Sequence, residues 1–440
     1  MTARPAAGVG VSHSAAGTTP VRTPGPVVPR PGGLFRHRDF RLLWAGQTVS
    51  AVGSNVTAVA LPLAAVVVLH ATTFQVAVLT AAAWLPWLLA GLFAGAWVDR
   101  VRRRPVMIAC DLVSAALFLS VPVSALLDVL TIGQLLVVAL GAGLARVFFE
   151  TANQVYLPTL LRPEQLPEGN AKLHATQTAS YLVGPGLAGL IAQLVGAVTA
   201  VLLDAVTFLV SAACLGRIRT VEPRPGRPAG PSSLAREVAD GLRFVVRDRY
   251  LRVLTVFGAA NNIGLTGYQA VLVVFLVRSA GLPAGLVGLL IGLASVGGVV
   301  GAALATVIAR RFGSARALLL AAAATGPPAL LIPLAGPGPR AAWLVLGGAL
   351  VSLGVAVGNV VKGSFRQTYT PHALLGRVTV SMQLLNFGII PLAAVLAGAM
   401  GTTWGPAGAI RVMTAWLALT PLILLVGPLR RRRDLPASPA

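Results

Sequence analysis

Long apolar runs, separated by short polar stretches that are often rich in arginine, make up most of the chain. Each run has the ~20 residues that a helix needs to cross the hydrocarbon core of a membrane. Helices are expected because lipid offers no hydrogen-bond partner to an open backbone. We predict twelve such segments at residues 42–69, 75–98, 105–127, 132–157, 173–195, 197–216, 251–278, 283–309, 315–335, 341–361, 379–401 and 406–428.

The overall composition supports a membrane protein. The 440 residues are 56% hydrophobic and 11% charged, with a mean hydropathy of +0.80. A soluble domain carries about a quarter charged residues, and a disordered chain has low hydrophobicity. Residues 1–33 are rich in Pro, Gly and Ser and lack the apolar core of a signal peptide, so we predict a disordered cytoplasmic tail that is not cleaved.

Charge gives the predicted segments an orientation. There are 35 Lys+Arg and 13 Asp+Glu, a net charge of +22, which in a soluble protein would suggest a nucleic-acid partner. Here almost all basic residues fall in the termini and in the loops after even-numbered segments; the exceptions are Arg146, Arg278, Arg340 and Arg411. By the positive-inside rule both termini are cytoplasmic. The basic surface then predicts contact with membrane lipids and no nucleic-acid partner.

The longest internal polar stretch, 217–250, divides the segments six and six. Leu234, Val238, Leu242 and Val245 recur there at helical spacing, which favours an amphipathic helix on the inner leaflet over an irregular solvated loop. We therefore predict an all-α integral membrane protein with two pseudo-symmetric six-helix bundles. Its parts are a tail (1–33), an N-terminal bundle (34–216), a linker (217–250), a C-terminal bundle (251–428) and a basic tail (429–440).

The two halves share sequence features. Gly91-x-x-x-Gly95 in segment 2 and Gly297-x-x-x-Gly301 in segment 8 each precede a basic loop. Glycines at this spacing allow helices to pack closely, as do Gly288/Gly292 and Gly354/Gly358. An internal repeat with binding sites between the halves is typical of secondary transporters.

Three motifs carry a family resemblance. The run from Gly95 to Arg104, GAWVDRVRRR, resembles the major facilitator superfamily signature G-x-x-x-D-R-x-G-R-R and departs from it at Arg102. The second-half copy, ARRFG at 309–313, lacks the acid. The segment 5 motif of Gly184, Pro185, Gly186 and Gly189 is similar to the G-P-x-x-G pattern of exporters in that superfamily, and Pro185 should weaken the helix because it lacks a backbone donor.

Further stretches are similar to the branch of enterobactin exporters and macrolide-efflux-like proteins: FRLLWAGQ at 40–47, EVADGLRF at 237–244 and GRV at 376–378. The resemblance covers about residues 34–430. It implies a monomeric, bacterial plasma-membrane transporter with the major facilitator fold. It also implies export of a small organic molecule (drug, siderophore or other natural product) by alternating access, in exchange for protons. The alternatives are a non-transporting receptor or scaffold on the same fold, and an importer.

The resemblance also implies a conformational latch. It places Asp99, at the end of segment 2, against the start of segment 11. A carboxylate at a helix C-terminus is unfavourable for the helix dipole and needs a positive partner. The alternative is that this loop only sets topology. The candidate latch residues are Gly95, Asp99, Arg100, Arg103, Arg104, Gly376 and Arg377.

Acids inside the spans are costly and mark candidate functional positions. Arg146 and Glu150 are four residues apart and share a helix face. They form either a pair that opens on protonation or a static ion pair. Asp204 is either a third proton-coupling residue or a structural hydrogen-bond acceptor, and Asp111 is expected to pair with loop arginines.

Amide side chains fall on the segments that should line a central cavity. Some are expected to hydrogen-bond neighbouring helices and the rest to face substrate in a mostly apolar cavity. The candidates are Asn55, Asn153, Asn261, Asn262, Gln269, Gln383 and Asn386. The two cysteines and five histidines show no metal-ligand spacing. With no phosphate-binding loop or nucleophile–base motif, we predict no metal, no cofactor and no enzymatic activity.

Overall fold

Helices form every regular element in the computed structural model, which describes residues 33–98, 100–220, 222, 234–430 and 432–436. Within these ranges, twelve helical stretches are long and apolar enough to cross a membrane, which confirms the predicted fold class. The tail at 1–32, Asp99 and the linker residues 223–233 lie outside the described residues.

The helix bounds follow the apolar runs. The N-terminal half contains α1 (Arg38–Val67), α2 (Thr73–Val98), α3 (Arg103–Leu126), α4 (Ile132–Leu160), α5 (Leu166–Val195) and α6 (Ala197–Gly216). A linker helix, α7 (Leu234–Arg247), precedes the C-terminal half. That half contains α8 (Arg249–Val274), α9 (Ala284–Phe312), α10 (Ser314–Thr325), α11 (Ala341–Tyr369), α12 (His372–Thr403), α13 (Gly405–Leu419) and α14 (Pro421–Val426).

The two halves pack alike. In the N-terminal half α1 contacts α5 and α6, and α4 contacts α2 and α3. In the C-terminal half α8 contacts α12 and α13 in the same way, and α11 contacts α9 and α10. Apolar clusters lie between these helices in each half, and the largest cluster of the N-terminal half also includes Val273 and Val274 of α8. The pseudo-symmetry expected from the sequence repeats is therefore present in the packing.

Proline interrupts two of the C-terminal spans. α10 stops at Thr325, and the span continues as a 3-10 helix over Pro327–Leu334. Similarly, α13 ends before Pro421 and α14 completes its span. A proline removes one backbone donor and clashes with the preceding turn, so each span is built from two shorter pieces.

The main difference from the predicted bounds concerns span 10. The sequence places its end at 361, but α11 runs on to Tyr369. Lys362 and Arg366 therefore lie within a helix and not in a loop. Long basic side chains can follow an apolar surface with their stems, so their charge lowers the local hydropathy without ending the helix.

The linker helix α7 packs on α12. The Cα of Gly241 lies so close to the backbone of Arg377 that a Cβ would meet its carbonyl at 2.4 Å, and Val245 is buried. Leu242, on another side of α7, is exposed. The side chains of Leu234 and Val238 lie outside the described residues, and the position of α7 on a lipid leaflet stays a prediction.

Candidate transport pathway and gates

The helix bundle has two chemically different ends. One end contains the start of α1 and the end of α2 and is lined by arginines, including Arg100, Arg162 and Arg316. We call it the basic face, and the other end the opposite face. The contact between the two halves is unequal along this axis, and that inequality defines a candidate pathway.

Small residues join the halves towards the opposite face. Ala77 and Ala81 of α2 form a buried cluster with Ala270 of α8 and Ala394 of α12. A Cβ on Gly398 of α12 would lie 2.5 Å from the Cβ of Ala77. Such flat surfaces let helices approach closely.

The second junction involves the segment 5 motif. The Cα of Gly189 lies so close to α9 that a Cβ on Gly288 would meet it at 2.3 Å. Gly285 packs equally closely on the side chain of Gln193. Gly184 instead contacts Asn55 of α1, and a Cβ on Gly186 would meet nothing within 4 Å. Gly189 is therefore the motif residue that seals the two halves together.

One polar contact also crosses between the halves at the opposite face. The Nη2 of Arg278 donates a hydrogen bond of 2.7 Å to the carbonyl of Ala71. Arg278 lies in a π-helical turn, Phe275–Ser279, that ends the seventh span. Sequence analysis recognised Arg278 only as an exception to the charge pattern, because its partner is a backbone carbonyl more than 200 residues away.

Aromatic side chains mark the middle of the interface. The ring of Phe387 on α12 lies 5.9 Å from that of Trp84 and 6.2 Å from that of Trp87, both on α2. Nearer the basic face, no ion pair among the described residues joins the two halves. The contacts described between the halves thus lie at the opposite face and in the middle of the bundle, and we interpret the basic face as its open end.

An ion pair lies on the N-terminal side of this opening. The Nε of Arg146 donates a 2.7 Å hydrogen bond to the Oε1 of Glu150, one turn along α4. Their side chains are 49% and 38% exposed, and the Tyr181 hydroxyl of α5 lies beside the guanidinium. The structure therefore brings Arg146 and Glu150 together with their side chains partly exposed.

Asp204 is placed differently. It is fully buried between α6 and α1, where Thr207 donates to its Oδ1 at 3.0 Å. Gly53 makes room for this carboxylate, since a Cβ there would lie 2.4 Å from Oδ1. Thr57 lies next to the carboxylate. Its Oδ2 is buried with no hydrogen-bond partner among the described residues, so proton coupling and structural hydrogen bonding both stay predictions for Asp204.

The expected pairing of Asp111 with loop arginines is wrong for the arginines that the structure describes. Asp111 is buried on the face of α3 that packs against α6, next to Ser211. The loop arginines point elsewhere: Arg104 donates to the carbonyls of Leu215 and Gly216. The helix face, and not the distance along the chain, decides which partner the carboxylate meets.

The candidate cavity amides divide into two groups. Two contacts hold helices together: Gln47 donates to Asn153, and Asn262 donates to the backbone of Asn386 at 2.8 Å. Asn55 is buried and donates within its own helix to the carbonyl of Ala51. Asn261 is buried as well. Gln269 and Gln383 are exposed.

The C-terminal side of the opening presents two basic residues that sequence analysis assigned to a loop. Lys362 and Arg366 are one turn apart on α11 and half-buried. The Nζ of Lys362 lies 5.7 Å from the centre of the Phe257 ring on α8. The feature that places both residues in a span is the helix itself, which continues through Tyr369.

At the basic face, each half binds its own arginines. The carboxylate of Glu222 accepts from the backbone of Arg103 at 2.8 Å and of Arg104 at 3.2 Å, and it pairs with the Arg103 guanidinium at 3.4 Å. Asp39 accepts from the backbone of Thr220 at 2.9 Å. Sequence analysis missed both acids, because their partners are more than 100 residues away.

The predicted latch is only partly visible. Asp99 and the surroundings of Gly95 lie outside the described residues. Arg100 is exposed, and a Cβ on Gly376 would meet nothing within 4 Å. Arg377 pairs with Asp240 of the linker helix at 3.5 Å. Among the described residues no group of three or more His, Cys, Asp or Glu side chains could hold a metal ion.

Comparisons with known proteins place these features in a family. The multidrug efflux pump Tap of Mycolicibacterium fortuitum is 29% identical over 409 residues, which cover 90% of this chain and 97% of that protein. The macrolide efflux protein A of Streptococcus pyogenes is 24% identical over 222 residues, covering 50% of this chain and 54% of that protein.

Solved structures share the fold. The crystal structure of the nucleoside transporter NupG superposes with a TM-score of 0.74 at 10% identity, covering 90% of this chain and 99% of that one. An inward-facing bacterial homologue of the iron transporter ferroportin gives 0.69 at 17% identity, covering 90% and 99%. The Major Facilitator Superfamily model matches residues 43–390, and the chain therefore belongs to this superfamily of membrane transporters.

Proposed function

We propose that this protein exports a small organic molecule, such as a drug, siderophore or other natural product, by alternating access. The observation that carries the proposal is the unequal contact between the halves, closed by glycine and alanine at the opposite face and open at the basic face. Efflux relatives that align over most of the chain support the direction. We further propose that the protein works as a monomer in contact with membrane lipids.

The orientation is part of the proposal. Arginine-rich loops favour the cytoplasmic side of a membrane, so the basic face is cytoplasmic and both termini lie inside the bacterial plasma membrane. The structure then corresponds to the state that takes up cargo from the cytoplasm.

We propose proton antiport with Glu150 as the acid that carries the proton. Its carboxylate is partly exposed and paired with Arg146, so protonation would neutralise it and release the guanidinium. Asp204 has no exposed surface and is hydrogen-bonded to Thr207, which suits a structural role.

Asp99, with Gly95, Arg100, Arg103, Arg104, Gly376 and Arg377, remains the proposed latch for the state closed at the basic face. In the present state Arg103 and Arg377 bind acids of the linker, Glu222 and Asp240. Closing the basic face would require these pairs to rearrange. A purely topological role for the loop is the alternative, and Asp99→Asn with normal expression but unchanged transport would support it.

Flux in proteoliposomes tests the export proposal. We choose rhodamine 19, which has a free carboxylate, and its ethyl ester, rhodamine 6G, as the free-acid and ester dyes. Wild-type protein should exchange dye across the membrane and dissipate an imposed pH gradient, seen with an internal pH dye. Glu150→Gln should keep dye counterflow and lose proton movement. The matched control is Glu168→Gln, which breaks an ion pair of the same spacing, with Lys172 at 3.5 Å.

Each alternative has its own outcome. Wild-type protein that exchanges neither dye favours a receptor or scaffold. Dye that moves only together with protons, and not against them, indicates an importer. Proton movement that survives Glu150→Gln but is lost in Asp204→Asn would identify Asp204 as the acid that carries the proton.

A further inference from the structure

We infer that Lys362 and Arg366 form an anion-binding wall in the opening, so that the cargo carries an acidic group such as a carboxylate, sulfonate or phosphate. This inference rests on the proposed export function and specifies its substrate class.

The position of the two side chains is the first step. They are four residues apart on α11, so they share one helix face. The same side of α11 is open: Asn359 is exposed, and a Cβ on Gly363 would meet nothing within 4 Å. The Nε of Arg366 is buried and has no hydrogen-bond partner among the described residues. This donor is therefore left unsatisfied by the part of the chain that the structure describes.

The second step is the absence of a neutralising acid nearby in the sequence. Between Arg249 and Arg433 the chain contains no Asp or Glu. Asp248 precedes α8, but its Oδ1 accepts from the backbone of Tyr250 at 2.9 Å and its Oδ2 from the hydroxyl of Tyr369 at 2.6 Å. The C-terminal half thus cannot supply a counter-charge for Lys362 and Arg366 from its own spans.

Two like charges on one helix face repel each other, and charges within a span usually have a partner. The equivalent helix of the N-terminal half follows that rule, since Arg146 and Glu150 on α4 neutralise each other. Lys362 instead lies over the ring of Phe257, a contact that leaves its charge intact. An anionic group on the cargo would complete the site, and the Phe257 ring would accommodate an apolar body beside it.

Matched dyes test this inference, because the free-acid and ester dyes defined above differ only in the carboxylate. Their dissociation constants are measured by fluorescence anisotropy with protein in nanodiscs of neutral phosphatidylcholine. We expect the wild type to bind the free acid about tenfold more tightly than the ester, as one charge-assisted hydrogen bond allows. The double variant Lys362→Gln with Arg366→Gln should reduce that ratio to about one.

Two controls separate charge from folding. Lys172→Gln removes the only other lysine, which pairs with Glu168 at the basic face, and should leave the ratio as in the wild type. Lys362→Arg keeps the charge and should also keep the preference. A wild-type ratio near one, or a ratio unchanged in the double variant, would overturn the inference. If the anion-binding inference is overturned in this way, efflux of the ester by the double variant would show that the export proposal still holds.

An anionic lipid headgroup presents the same chemistry as the cargo. Nanodiscs that contain phosphatidylglycerol distinguish the two sources. If the lipid lowers free-acid binding in the wild type and not in the double variant, the headgroup occupies the wall and the assignment to cargo is wrong. Equal binding in both lipids supports cargo. If wild-type protein binds and exchanges neither dye, the export proposal itself fails.

Discussion

Alanine at position 288 should weaken the seal between α5 and α9. Its Cβ would lie 2.3 Å from the Cα of Gly189, 2.4 Å from its nitrogen and 2.8 Å from the carbonyl of Pro185. Ordinary contact begins near 3.4 Å, so the two helices must separate by about 1 Å. Backbone atoms cannot rotate away as a side-chain end can, and overpacking of this kind costs about 1–3 kcal/mol.

The cost applies only while the opposite face is closed. In the proposed alternating-access cycle α5 and α9 part at this face, and the added methyl group would then meet no neighbour. A penalty of about 1–3 kcal/mol on one state shifts the equilibrium between the two states by roughly 5- to 150-fold. The population should therefore move towards the state that is open at the opposite face and closed at the basic face.

Spin-label distances between the halves measure this shift. Labels at exposed Arg162 and Arg316, one in each half at the basic face, should come closer in Gly288→Ala, with Cys110 and Cys214 replaced by alanine. The matched control is Gly186→Ala in the same motif, because a Cβ there meets nothing within 4 Å. If the two variants give the same distance distribution, the glycine seal does not hold the closed state.

Three further predictions concern single side chains. Arg278→Ala removes the 2.7 Å bond to Ala71, so the state closed at the opposite face should lose about 1.5–3 kcal/mol of stability. The same label distances should then change in the direction expected for Gly288→Ala; an unchanged distribution would contradict this prediction. Glu222→Gln removes the charge that binds Arg103 and should lower thermal stability by about 1–2 kcal/mol, while Glu164→Gln on the surface should not; equal melting would count against the assignment. Asp204→Asn keeps the shape of the buried acceptor and should retain proton-coupled dye flux, measured in the proteoliposomes described above, and its loss would make Asp204 more than structural.

The apolar pattern was sufficient to predict the architecture. All twelve spans follow from runs of sufficient length, and the Arg146–Glu150 contact follows from helical spacing alone. Both rest on local information, since a helix fixes which residues share a face.

Contacts between distant parts of the chain could not be predicted from the sequence. Nothing near Glu222 in the sequence indicates that it binds the start of α3, 119 residues away. Asp111 was assigned to neighbouring arginines because the face of α3 that meets α6 is not visible in a hydropathy pattern. Lys362 was missed for a different reason: charge ended the predicted segment while the helix continued.

The attachment of the linker at both ends has a mechanical consequence. Glu222 and Thr220 hold its beginning on α3 and α1, and Asp240 and Gly241 hold its end on α12. Residues 223–239 join Glu222 to Asp240, and only 223–233 of them precede helix α7. The chain from 223 to 233 spans roughly 40 Å at full extension. The linker is thus a tether of fixed maximum length, and it limits how far the two halves can part at the basic face.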